Sequence, residues 1–65
     1  MIHRILRLPE VRQCTGLSRS SIYDLIDKGL FPRQVPLVIG GRGVGWVESE
    51  VADYIERQIR ARTNA

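Results

Sequence analysis

Apolar side chains recur along this chain at two different intervals, and the changes of interval divide it into elements. From Ile5 to Leu8 (I-L-R-L) they alternate enough for a short strand or an extended lead-in. From Pro9 the interval lengthens. Val11, Cys14 and the Thr15 methyl fall on the inward side of a short helix that Gly16 closes, with Leu17 tucked under the turn. Pro9 suits a first helical turn, where its missing N–H is not needed, and Glu10 complements the positive helix start. Ser18 is a good N-cap for a second helix from Arg19 to Lys28, which puts Ile22, Leu25 and Ile26 on one stripe. Gly29 predicts a left-handed C-terminal cap with Leu30 packed back over it, and Phe31-Pro32 bars further helix.

The interval then shortens again. Val35 to Ile39 and Val44 to Val47 are β-branched runs separated by G-G-R-G, which predicts a hairpin displaying Arg42 at its tip. Ser49 or Glu48 caps a last helix from Glu50 to near Arg62, with Val51, Tyr54, Ile55 and Ile59 as its apolar stripe. The tail T-N-A is expected to fray. These elements are too small to stand alone. They share one expected core of Leu8, Val11, Leu17, Ile22, Leu25, Ile26, Leu30, Trp46, Val51, Ile55 and Ile59. The expected fold is mainly α with a small β-hairpin: a winged helix-turn-helix of three helices and a two-stranded wing, one domain over residues 1–65.

Size and composition narrow what such a fold can do. A 65-residue chain buries only about 60% of the surface its unfolded form exposes. That leaves no room for an enclosed substrate cleft beside the core. Cys14 is the only cysteine, so an internal disulfide and a cysteine zinc site are excluded. No apolar run has signal-peptide length, and none approaches the ~20 residues of a membrane span. The expectation is a soluble protein of the reducing cytoplasm, with no membrane partner and no cofactor. The net charge is +3, and it is uneven: residues 1–33 carry six basic groups against three acids, residues 34–65 four against four. Nine of the ten basic residues are arginine, whose planar fork suits phosphates and guanine edges. Composition by itself does not separate a nucleic-acid binder from an ordinary domain with solvated arginines.

The second helix makes the separation. A helix that enters the major groove needs a buried stripe to hold it and a polar N-terminal face to read with. Arg19, Ser20 and Tyr23 fall on that face, and Ser18 with the helix N-terminus is placed to hold a phosphate. Arg42 on its glycine hairpin can lie along the backbone or in a minor groove, and Arg33 adds a further backbone contact. Each has a plainer alternative: Arg19 as a solvated first-turn residue, Tyr23 as packing, the glycines as turn formers alone. Trp46 and Tyr54 are assigned to the core rather than to base stacking. His3, near the terminus, is inert, and Glu48 and Glu50 are acids at a helix start rather than a catalytic pair.

The stretches I-L-R-L-P-E-V (Ile5 to Val11), T-G-L-S-R-S-S-I-Y (Thr15 to Tyr23), F-P (Phe31-Pro32) and G-G-R-G-V-G-W-V-E-S-E-V (Gly40 to Val51) closely resemble the AlpA-type phage regulators, small proteins related to the excisionase and MerR-like winged helix-turn-helix group. The likeness spans nearly the whole chain without insertions. It implies a DNA-binding regulator of a prophage or integrative element, of a kind that activates or represses element genes, often the integrase, and in some cases assists excision. Position by position, Ser18, Arg19, Ser20 and Tyr23 match the recognition helix and Arg42 the wing arginine. Two departures stand out. Asp24 and Asp27 occupy places where relatives carry neutral or basic residues, which predicts that the far end of the helix stays off the backbone. Ala52 and Asp53 invert the usual acid-then-small order, which predicts a shifted capping interaction.

The function expected is sequence-specific binding of double-stranded DNA by a transcriptional regulator, with residues 18–28 in the major groove and the Arg42 wing on backbone or minor groove. RNA polymerase or an integrase is the protein partner that role would call on, with a homodimer through Ile59 and Arg62, or monomers side by side on adjacent repeats. An excision factor is the nearest alternative. A protein-interaction adaptor that has lost DNA affinity is another, favoured by the two aspartates. No nucleophile–base pair or ligand cluster suggests an enzyme.

Overall fold

The computed structural model describes residues 2–63 and contains three helices around a small antiparallel sheet. In chain order these are β1 (Ile5–Leu6), α1 (Leu8–Thr15), α2 (Arg19–Asp27), β2 (Val35–Pro36), β3 (Val44–Val47) and α3 (Glu48–Thr63). The architecture is the winged helix-turn-helix that the apolar pattern predicts, with one strand more. The sheet order is β1-β3-β2: Ile5 and Leu6 pair with Val47 and Trp46, while Val35 and Pro36 pair with Gly45 and Val44. The lead-in is thus a third strand, and it ties the N-terminus to the wing's central strand. Pro36 is tolerated because β2 lies on the sheet edge, where a missing donor costs no ladder bond.

The helix ends follow from local chemistry. Arg7 donates its backbone N–H to the Glu10 carboxylate at 3.2 Å, the reciprocal half of a capping box, and Pro9 occupies the second helical position. Gly16 ends α1 at φ 73°, its N–H donating to the Arg12 carbonyl at 2.8 Å. Two residues later Ser18 starts α2 by accepting the Ser21 N–H at 3.2 Å. At the other end Gly29 also sits at φ 73°. Its N–H donates to Ile26 at 3.0 Å and that of Leu30 to Leu25 at 2.8 Å, the paired bonds of a Schellman motif.

Leu6, Val11, Ile22, Ile26, Phe31, Trp46 and Val51 are buried, with Leu8, Leu17, Leu25, Val44, Tyr54 and Ile55 packed partly against them. This corrects several sequence expectations. Leu30 is 59% exposed, because the chain turning out of the Schellman motif delivers Phe31 inward instead, edge-on to Tyr54 at 4.7 Å. Leu6 joins the core through its pairing with Trp46. Cys14 is exposed: Leu8, Val11 and Thr15 make the inward stripe of α1 and leave Cys14 on its flank. Ile59 is half-exposed, since α3 outruns the core toward its C-terminus. Helix α3 begins directly after β3 at Glu48, whose N–H donates to the Arg4 carbonyl at 2.8 Å. Ser49, Ala52 and Asp53 therefore lie inside the helix and cap nothing. In the tail, Thr63 is the last residue of α3, and residues 64 and 65 fall outside the described residues.

Gly45 is the tightest backbone position. A side chain there would run into Ile5 and come within 3.0 Å of the Leu6 carbonyl oxygen, so only glycine lets β1 close on β3. Gly45→Ala is expected to destabilise on the order of 1 kcal/mol, the lower end for overpacking, because the Ile5 side chain can yield in part. In a thermal melt followed by circular dichroism this is a fall in Tm of about 4–8 °C; an unchanged melt would show that the sheet has slack there.

Candidate nucleic-acid interface

Helix α2 has a buried back and an open front. Ile22 and Ile26 hold it in the core, while Arg19, Ser20 and Ser21 are exposed. The Ser18 hydroxyl is engaged in the cap, accepting from the Ser21 N–H and donating to Ser21 Oγ at 3.0 Å. It thereby leaves the first amides, at Arg19 and Ser20, as the helix's unpartnered donors, facing outward with its positive end.

Tyr23 packs, as its plainer reading expects, and also carries Arg19. It is half-buried, its ring edge-on to Trp46 at 6.2 Å and 67°, and the Arg19 guanidinium lies 5.7 Å from its centroid. Tyr23 is packing on one side and a platform on the other. The cation–π contact holds the Arg19 fork near the helix start without occupying its N–H groups.

Trp46 turns out to be the common support. It sits in β3, the strand that carries the wing, and meets Tyr23 of α2. Its Nε1–H donates to the Pro32 carbonyl at 3.1 Å and so fixes the segment immediately before exposed Arg33. Sequence reasoning placed Trp46 in the core but had no signal for these bonds, which join residues far apart in the chain.

The wing departs from its expected outline. Strand β2 ends at Pro36, and after one further bond, Leu37 N–H to Gly43 at 2.9 Å, pairing stops. The β-branched run Val38-Ile39 is drawn into the loop because the turn closes early, at Gly40 (φ 77°), with Gly41 donating to the Val38 carbonyl at 2.9 Å. Arg42 is exposed beyond that turn. The separate elements share one electrostatic property: from Lys28 to Val47 the chain has no carboxylate, only Lys28, Arg33 and Arg42.

The two aspartates of α2 are not alike. Asp24 forms an ion pair with Lys28 at 2.9 Å, one helical turn on, a spacing that was visible in the sequence. The hydrogen bond to Asp24, and then its charge, raise the Lys28 pKa above the ordinary lysine value. A raised folded-state pKa means that whatever this exposed pair contributes is present at neutral pH and is lost as pH climbs through that raised value. Asp27 is exposed next to the C-cap. Glu10 and Glu48 likewise have structural work, flanking Arg4 at 3.9 and 3.4 Å. Among the described residues no cluster of His, Cys, Asp or Glu could hold a metal ion, and no helix is long and apolar enough to cross a membrane.

A capped helix with a buried stripe, a three-residue turn before it and a basic hairpin after it define a winged helix-turn-helix protein. Residues 4–59 match the family model described as the prophage CP4-57 regulatory protein (AlpA), and the chain belongs to that family. It is 52% identical over 59 residues to the ORF88 protein of Enterobacteria phage P4, a match covering 91% of this chain and 65% of the phage protein. The chain thus spans just under two thirds of that relative. It is also 35% identical over 63 residues to the DNA-binding transcriptional activator AlpA of Escherichia coli (strain K12), covering 88% of this chain and 87% of the activator.

Proposed function

We propose that this protein is a sequence-specific DNA-binding transcriptional regulator of a prophage or integrative element, acting through residues 1–65 as one binding unit. The N-terminal half of α2 enters the major groove, with Arg19 and Ser20 toward base edges, Tyr23 beside them and the Ser18 end on a phosphate. Arg33 and the Arg42 wing lie on the flanking backbone and minor groove. The observation that carries this reading is the braced and exposed front of α2: Arg19 is held on Tyr23, and Tyr23 on Trp46, with no acid on the helix's first turn. The name of the activator relative supports it independently.

Of the two aspartates that favour an adaptor, Asp24 is paired with Lys28, which supports the DNA-binding reading, while Asp27 stays exposed at the far end of the helix. A regulator of this kind needs a second copy or a protein partner, since one such module buries only about 600–1,000 Å² on DNA. RNA polymerase or an integrase suits the role. A homodimer would use the groove of roughly 400 Å³ between α1 and α3, where Cys14 and Leu17 face Ile59 and Arg62.

Binding to fragments of the element that carries its gene, titrated with salt, tests the proposal. Log affinity should fall linearly with log salt, by about 0.9 per phosphate contacted. Arg42→Ala should weaken binding evenly across sequences and reduce the salt slope by about 1. No complex on any fragment, even at low salt, would sink the reading.

A further inference from the structure

The wing tip carries an apolar run that the fold does not use. Exposure climbs from 38% at Leu37 through 64% at Val38 to 100% at Ile39. The Gly41-to-Val38 hydrogen bond and the positive φ of Gly40 make residues 38–41 a type II-like turn with Ile39 at its second position, the apex. That position asks for proline or a polar residue, not a β-branched one, and a run of exposed apolar residues is a fault of folding unless it has a use. Gly41 is close beneath Val38, so that an added Cβ there would come within 3.1 Å of Val38 Cβ.

The surroundings indicate which use. Arg42 is exposed two residues past Gly40, and Gly40, Gly41 and Gly43 strip the rest of the tip to bare backbone. One cation (Arg42) beside exposed Val38 and Ile39, with no carboxylate anywhere from Lys28 to Val47, is a combination that suits the minor groove. There an arginine is drawn by the negative potential, and an apolar wedge can part a base step. A protein partner fits poorly, because a specific interface covers about 800 Å² on each side, far beyond two aliphatic side chains at a turn.

We propose that Ile39, backed by Val38, is an apolar wedge that enters the minor groove beside Arg42, partly unstacks one base step and bends the duplex. The inference rests on the DNA-binding reading above and adds a deformation to it. Flexible pyrimidine–purine steps are the expected target.

The test uses the whole protein and a duplex of about 30 bp that it selects from a randomised pool, end-labelled for energy transfer. Wild type should shorten the end-to-end distance, reporting a bend of about 20–90°. Ile39→Ser, at a fully exposed site, should melt as wild type does, bind about tenfold more weakly and leave the duplex straighter, while Ile39→Leu should restore the bend. If wild type binds without bending, or Ile39→Ser bends and binds like wild type, the wedge is wrong and DNA binding stands. If wild type selects no duplex at all, the DNA-binding reading falls and the wedge with it.

Discussion

Trp46→Ala is expected to leave most of the chain unfolded at room temperature. Replacing a fully buried tryptophan by alanine costs about 3–5 kcal/mol through lost transfer energy and the cavity left behind. Trp46 is the largest of the fully buried side chains here. Against it stands a total stability of about 0.05–0.15 kcal/mol per residue, a few kcal/mol for a chain this size. The loss also reaches the surface, because Tyr23 and the Pro32 carbonyl rest on the indole from two other elements. Trp46→Phe separates the contributions. It keeps an aromatic ring toward Tyr23 but orphans the Pro32 carbonyl, at a cost of about 1–3 kcal/mol. Urea unfolding followed by far-ultraviolet circular dichroism distinguishes the two. A cooperative Trp46→Ala transition at the wild-type midpoint would mean that the core is organised around other residues.

How far the sequence discloses this arrangement depends on the range of each interaction. The end of α1 and both ends of α2 were legible because each involves a few adjacent residues: Ser18 with Ser21, Gly16 with Arg12, Gly29 with Ile26. The stripe of α2 was legible for the same reason, its period being fixed by the helix itself. The start of α3 was not, because it is set by β3 and the Arg4 carbonyl. Partners across the fold were not. Whether Leu30 or Phe31 turns inward after the α2 cap is decided by Tyr54, more than twenty residues later. β-branched propensity assigned Val38 and Ile39 to a strand, but the positive φ of Gly40 closed the turn beneath them. The exposure of Arg19, Ser20 and Arg42 was legible in the same local pattern. What holds them in place was not, because Trp46 reaches Tyr23 and Pro32 only once the sheet has formed.

The same bracing sets the expected result at the reading surface. Arg19→Ala should cost about 1–3 kcal/mol at one base pair of the selected site and little on random DNA, as loss of a forked contact to a guanine edge would. Held over Tyr23, the guanidinium would meet the proposed groove with part of its conformational freedom already spent, so the loss should fall on discrimination rather than on general attraction. Arg19→Lys should not rescue it, because an ammonium keeps the charge but not the fork. Titrations against a panel of single-base-pair variants read this directly: wild type should show one steep position that the Arg19→Ala profile lacks. Tyr23→Leu should flatten the same position partway, since it removes the platform and leaves the arginine. Equal weakening of Arg19→Ala on every duplex, with a salt slope reduced by about 1, would instead make Arg19 a phosphate anchor and move base recognition to Ser20 and Tyr23.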